Sequence, residues 1–190
     1  MGATTRNIGW AGLAIAWCAL VGLAMREVYA YATTSGAQGQ SSVRWPAGST
    51  IPRAVDGLTI AMFIHPDCPC SRASVAELRE IMETRHAAIA IVFTGATSSS
   101  ALWEAAGAIP GAHQIHDPLG VEARRFGAMT SGHVVIFDAA GIRKFTGGIT
   151  GSRGHVGDNI GRRQVEAILD GRSSTAAHHA VFGCSLDGTS

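Results

Sequence analysis

The sequence predicts an α/β domain, a layered sheet with helices on both faces, carried behind one apolar N-terminal helix. Two observations carry that prediction. Short apolar runs alternate with amphipathic helical stretches in the order β-α-β-α-β-α-β-β-α, with turn residues between them and no internal repeat. Ahead of them lies an uncharged stretch, Ile8 to Met25, of about 18 residues, near the lower limit for a membrane-spanning helix.

Taken in order, residues 1–31 read as an anchor or signal segment. Arg6 precedes the apolar stretch and Arg26-Glu27 follows it, while Trp10, Tyr29 and Tyr31 lie near its ends, where amphipathic rings prefer a membrane interface. "AYA" at Ala30 to Ala32 also fits a small-x-small cleavage site. The apolar stretch is long for a signal peptide and a charged pair follows it, which favours the anchor. Either way the segment exports the rest of the chain. Cys18, inside it, reads as a small apolar helix residue. Residues 32–50, small, polar and rich in Gly and Ser, read as a flexible linker.

The domain is expected over 51–171. "LTIAMFI", Leu58 to Ile64, is a continuous apolar run and fits a strand covered on both faces. Ser71 to Arg85 places Val75, Leu78 and Met82 on one helical face with Ile81 beside them, leaving Arg79, Glu80 and Glu83 outward. Ile89 to Phe93 is a second buried strand. Ser98 to Ser100 can cap a short helix through Leu102, Trp103 and Ala106. His113 to His116 reads as a short strand and Val121 to Phe126 as a helix. His133 to Asp138 is a strand that turns at Ala139-Ala140-Gly141 to pair with "IRKFTGG". The last helix starts at Asp158 or Asn159 and stops before Gly171, leaving 172–190 as a C-terminal tail.

Bulk properties exclude some classes. Fifteen Lys and Arg against 14 Asp and Glu give a net charge of +1 with no basic stripe, which argues against nucleic acid. Four cysteines, irregularly placed, are too few for a disulfide framework.

The chemistry concentrates in "HPDCPCSRAS", His65 to Ser74, where the first strand meets its helix. Ligand chemistry in open α/β sheets gathers at such strand ends. Pro69 suits the first helical position, which makes Cys68 the N-cap, its sulfur facing free backbone N–H groups at the positive end of the helix. Thiolates are stabilised there, so Cys68 is the better nucleophile. A direct Cys68–Cys70 disulfide is strained, because side chains two apart diverge, and strained bridges are labile. The bland reading is two small apolar residues packed under a helix.

"MFIHPDCPCSRASVAEL" resembles the active-site segment of the thioredoxin-like superfamily, especially the membrane-tethered TlpA and redoxin group. Within that group the chain is most similar to the RedB type, a likeness that takes in "GGITGSRGHVGDN" and "VFGCSL". The resemblance implies a central mixed sheet flanked by helices over about Leu58 to Leu169. It also implies a single-pass protein of the bacterial inner membrane, its domain facing the periplasm, that meets protein thiols or disulfides and needs no cofactor. In that frame Cys68 takes the attacking position, Ser71 stands where the resolving cysteine is usual, and Gly132 stands in place of the family's cis-proline. The missing thiol is supplied by Cys70, the first choice, by Cys184, or by a partner.

Metal is the main rival. Thiolates with imidazole suit Cu(I) or Zn. Copper-delivering Sco-type proteins, which resemble thioredoxins, use two cysteines and a histidine; here Cys68 and Cys70 with His133 or His65 would serve, although the Cys-x-Cys spacing departs from the Sco type. His133 is equally explained as a hydrogen-bonded structural histidine. A non-catalytic interaction module on the same fold is the third reading. His178 and His179 read as solvated, and Cys184, between Phe182 and Leu186, as able to dock an apolar tail. Arg153, His155, Asp158 and Asn159 lie in a polar loop that could line the site.

Overall fold

The structure, a computed structural model, describes residues 2–95, 101–172 and 177–186. It divides into two units, Met1–Thr34 and Ser35–Ser190. The first is α1, Gly2–Thr33, whose segment Gly9–Thr33 is long and apolar enough to cross a membrane.

The second unit is built on six strands: β1 (Thr59–Ile64), β2 (Ala88–Thr94), β3 (Ala112–Asp117), β4 (His133–Phe137), β5 (Arg143–Gly147) and β6 (Ala177–His178). Their order in the sheet is β3-β2-β1-β4-β5-β6. β1 runs parallel to β2 and antiparallel to β4, and β4 and β5 form the expected hairpin. The helices α2 (Pro69–Met82), α3 (Ala101–Gly107), α4 (Val121–Arg125) and α5 (Ile160–Leu169) complete it. A β-α-β unit, then a hairpin and a closing helix on one mixed sheet, is the thioredoxin-like fold.

Alternation along the central strands makes two apolar layers. Ile60, Met62 and Ile64 of β1 with Val134 and Ile136 of β4 meet Leu78 and Ile81 of α2 and Val165 and Ile168 of α5. Ala61, Phe63, Val135 and Phe137 point the other way, onto Ala123 and Phe126. Both faces are therefore covered, which is why β1 shows an unbroken apolar run.

Helix ends follow the expected chemistry, with one adjustment at the end of α2. Pro69 opens α2 and the Asn159 side chain caps α5 by accepting from the Arg162 N–H at 2.9 Å. α2 stops at Met82 because the Glu83 N–H turns back to the Glu80 carbonyl, three residues away, and tightens the last turn. The Ser98 to Ser100 cap lies outside the described residues. Glu77, buried on α2, pairs with Arg162 of α5 at 2.7 Å and ties the two helices together.

Within the segment 32–50, read from its composition as a flexible linker, residues 35–50 are bonded to the domain. Backbone bonds tie them to the hairpin: the Arg143 N–H donates to the Val43 carbonyl at 2.9 Å and the Trp45 N–H to the Gly141 carbonyl at 2.8 Å. Trp45 sits edge-on to Phe126 and Phe137, each ring centroid 5.1 Å away. One aromatic with a free layer of sheet beneath it outweighs the entropy of a Gly/Ser-rich stretch. The tail is equally engaged: β6 pairs with β5, and Val181 is fully buried.

Candidate active site: three sulfurs at a strand end

β1 ends at Ile64, and the turn His65–Asp67 delivers the chain to Cys68, the residue that caps α2 with extended backbone (φ −80°, ψ 117°). The turn is fixed from within and from across. The Cys68 N–H donates to the His65 carbonyl at 3.3 Å, and the Asp67 N–H to His65 Nδ1 at 3.2 Å. Ser71, in the place where the resolving cysteine is usual, is fully buried and holds the turn: its hydroxyl donates to the His65 carbonyl at 2.8 Å and lies 2.7 Å from the Ser131 hydroxyl, which accepts from the His65 N–H at 2.9 Å. Ser71 is thus a structural tie between the cysteine turn and the loop before β4. In the sequence Ser71 stood out only as the residue at the resolving position and Ser131 not at all, because their bond is a contact across 60 residues.

That loop is residues 129–132. Gly132 has a positive φ of 91° and its N–H donates to the Phe63 carbonyl at 2.8 Å, so the chain passes close over the end of β1. No cis peptide bond occurs among the described residues.

The three sulfurs of Cys68, Cys70 and Cys184 lie within 4.8 Å of one another, and all three are thiols. Cys68 Sγ and Cys184 Sγ approach to 2.7 Å. Cys184 arrives from the tail, 116 residues later in the chain. Cys68 and Cys70 are buried and Cys184 is half-buried. Burial works against charge on Cys68, but hydrogen bonds from the Cys184 thiol and from the backbone N–H groups of Cys184, Cys70 and Ser71 outweigh it, and its pKa falls below the ordinary thiol value. Cys184 moves the other way: burial, the bond it donates to Cys68 and the negative charges of Cys68 and Cys70 push it up to about 12, with Arg153 opposing. Cys70 also rises, through burial and then the charge of Cys68. The group therefore sets one sulfur that ionises more readily than an ordinary thiol beside two that hold their protons more tightly.

The histidines stand apart. Neither His65 nor His133 joins the sulfur group among the described residues. His133 is fully buried at the head of β4, its Nε2 2.8 Å from the Thr146 hydroxyl. Burial, then the charges of His178 and Arg143, lower its pKa to about 4. It is a neutral structural residue. His178 is exposed and bonded to Gln38 at 2.6 Å, and His179 is half-buried. Arg153 does reach the site: its guanidinium holds the Gly183 carbonyl and its charge acts on Cys70 and Cys184.

As a metal centre the group offers three sulfurs and no nitrogen. That donor set fits a soft ion of low coordination number, Cu(I), better than zinc, which fills four positions.

Sequence comparison matches the chain to no protein-family model and to no curated protein. Its fold is nonetheless shared. A hypothetical protein of Sinorhizobium meliloti superposes with a TM-score of 0.56 at 18% identity, over 82% of this chain and 95% of that one. An uncharacterized conserved protein of Geobacillus kaustophilus gives 0.55 at 18% identity, over 81% and 92%. A secreted disulfide oxidoreductase of Mycobacterium tuberculosis gives 0.45 at 14% identity, over 60% and 81%. At these identities the likeness is one of fold.

Proposed function

We propose that the protein carries out thiol–disulfide exchange through Cys68 and Cys184, with Cys70 beside them, as a single-pass protein of the bacterial inner membrane whose domain faces the periplasm. The single observation that carries this is the 2.7 Å approach of the two sulfurs, one with a lowered and one with a raised pKa. The Cys68 thiolate attacks one sulfur of a partner's disulfide, and the partner's other sulfur leaves as a thiolate that takes up a proton. Cys184, losing its proton, then attacks Cys68 Sγ and expels the partner's first sulfur. The partner gains two electrons and two protons, and Cys68–Cys184 becomes the disulfide; the reverse sequence oxidises a partner dithiol. Cys184, rather than Cys70, is the resolving thiol because its sulfur already lies on the attacked atom. The anchor, supported by the apolar length of Gly9–Thr33, keeps the site near the membrane surface.

Mass spectrometry of the digested, alkylated chain tests this. After mild oxidation the expected product links the Cys68 and Cys184 peptides, and Cys184→Ser traps Cys68 in mixed disulfides with added disulfide. A Cys68–Cys70 bridge with Cys184 fully alkylated would refute the assignment.

A second reading is favoured by the same three sulfurs: a Cu(I) site made by Cys68, Cys70 and Cys184, without His65 or His133. Competition titration of the reduced chain separates the two, since tight binding lost in each cysteine variant, with no disulfide exchange, supports metal holding.

A further inference from the structure

The tail that brings Cys184 to the site is held as a strand. Ser185 pairs with Thr130 in antiparallel fashion. The Ser131 N–H donates to the Cys184 carbonyl at 2.8 Å and the Leu186 N–H to the Met129 carbonyl at 2.9 Å. Arg153 holds the Gly183 carbonyl. Main-chain bonds of this kind accept any extended peptide, and side-chain room decides which one. Two positions are selective. A Cβ at Gly183 would run into the Ser131 carbonyl, so only glycine fits directly before the cysteine. Leu186, two residues after it, is buried with Phe63, Phe126 and Ala128.

We propose that the slot along residues 129–131 is the docking site for a partner protein's extended segment of the form Gly-Cys-x-aliphatic, and that this chain's own residues 183–186 fill it as an intramolecular competitor. The proposal rests on the redox reading of Cys68 and names its partner. The partner's cysteine, one half of a disulfide, takes the place of Cys184 over Cys68 Sγ; the Cys68 thiolate attacks it, the partner's S–S bond breaks, its other sulfur leaves as a thiolate that takes up a proton, and a mixed disulfide stands in the slot. When the tail returns, Cys184 attacks Cys68 and the strand evicts the partner in the same movement. The Cys68–Cys184 disulfide that results closes the slot covalently. A dithiol reductant reopens it by delivering two electrons and two protons, and leaves as its own disulfide.

The test uses the full chain, reduced and in detergent, and a fluorescent peptide of residues 180–186 with serine in the Cys184 place, so that binding is non-covalent. In the native chain the tail competes. Gly183→Val drives the tail out, and the peptide is expected to bind that variant at least roughly tenfold more tightly, because the competent slot is no longer a minor state. The same peptide with valine in the Gly183 place should not bind. Leu186→Asp, which removes the tail's apolar anchor, serves the same purpose if Gly183→Val does not fold. Equal peptide affinity for the native chain and the folded variant overturns the proposal, as does binding of the valine peptide. A native chain that dimerises by exchanging tails, seen by light scattering, overturns the choice of a foreign partner. Exchange of Cys68 with oxidised glutathione is read in parallel. Exchange without peptide binding sinks the slot alone, and peptide binding without exchange sinks the redox reading alone.

Discussion

His133 makes the domain sensitive to mild acid, and the size of the effect follows from its burial. The imidazole is fully enclosed at the head of β4, against Thr146 and within the field of His178 and Arg143, and its pKa drops from 6.5 to about 4. The unfolded chain takes up a proton on this residue below pH 6.5 and the folded chain does not until about pH 4. Through that window the unfolded state binds more protons, so stability is full above pH 6.5 and falls as pH falls. At about 1.4 kcal/mol per pK unit the whole loss is about 3 kcal/mol, most of it gone near pH 4.5. The perturbation is His133→Gln, which keeps a group able to bond Thr146 and removes the titration. Denaturant unfolding of both chains near pH 7.5 and pH 4.5 is the assay. Glu122, Asp138 and Asp170, whose pKa values are lowered, contribute equally to both proteins and cancel in the comparison. The native chain should lose about 2–3 kcal/mol more than the variant over this interval. Parallel pH profiles would show that His133 titrates normally and would remove both the linkage and its assignment as a neutral structural residue.

Four further outcomes are expected. Alkylation of Cys68 followed across pH should titrate below the free-thiol value in the native chain and move up in Cys184→Ser, which removes a donor to its thiolate. Glu77→Ala strands an N–H at Gly157 and removes one of three carboxylates that hold Arg162, and should cost on the order of 1–3 kcal/mol in denaturant unfolding. Gly132→Val forces a branched side chain to a φ of 91° against the Ser74 hydroxyl and should cost about 1–3 kcal/mol, with slower exchange at Cys68 because the loop facing it shifts. N-terminal sequencing of the membrane-extracted protein should find the segment before Thr33 retained; a chain beginning at Thr33 would show a cleaved signal instead.

The strands and helices were legible because their causes are local. An apolar run such as Leu58 to Ile64 has one outcome once both faces are covered, and Pro69 and Asn159 start helices through their own backbone chemistry. Only part of what acts on Cys68 is local in this way, the N–H groups of Cys70 and Ser71 at the helix start; the larger part comes from Cys184. Residues 35–50 misled because composition speaks for the unfolded chain's entropy and is silent about the layer of sheet waiting for Trp45. The pairing of Ser71 with Ser131, spaced far apart in the chain, carries no pattern that a linear reading can detect.

The sequence by itself determined the order of elements from β1 to α5, the apolar N-terminal helix and the placing of Cys-Pro-Cys at the end of β1. Only the tertiary structure decided the company Cys68 keeps. Cys184 and Cys70 were both candidates by sequence; a tail crossing from β6 to the loop before β4, with backbone bonds to Met129 and Ser131 and no side chain at Gly183, brings the Cys184 sulfur onto that of Cys68. His133, an equal candidate for ligand and for core, lies apart from the sulfur group, completely buried and bonded to a hydroxyl on the neighbouring strand. Such choices depend on distances between segments remote in the chain, and local propensity, acting over a few residues, has no hold on them.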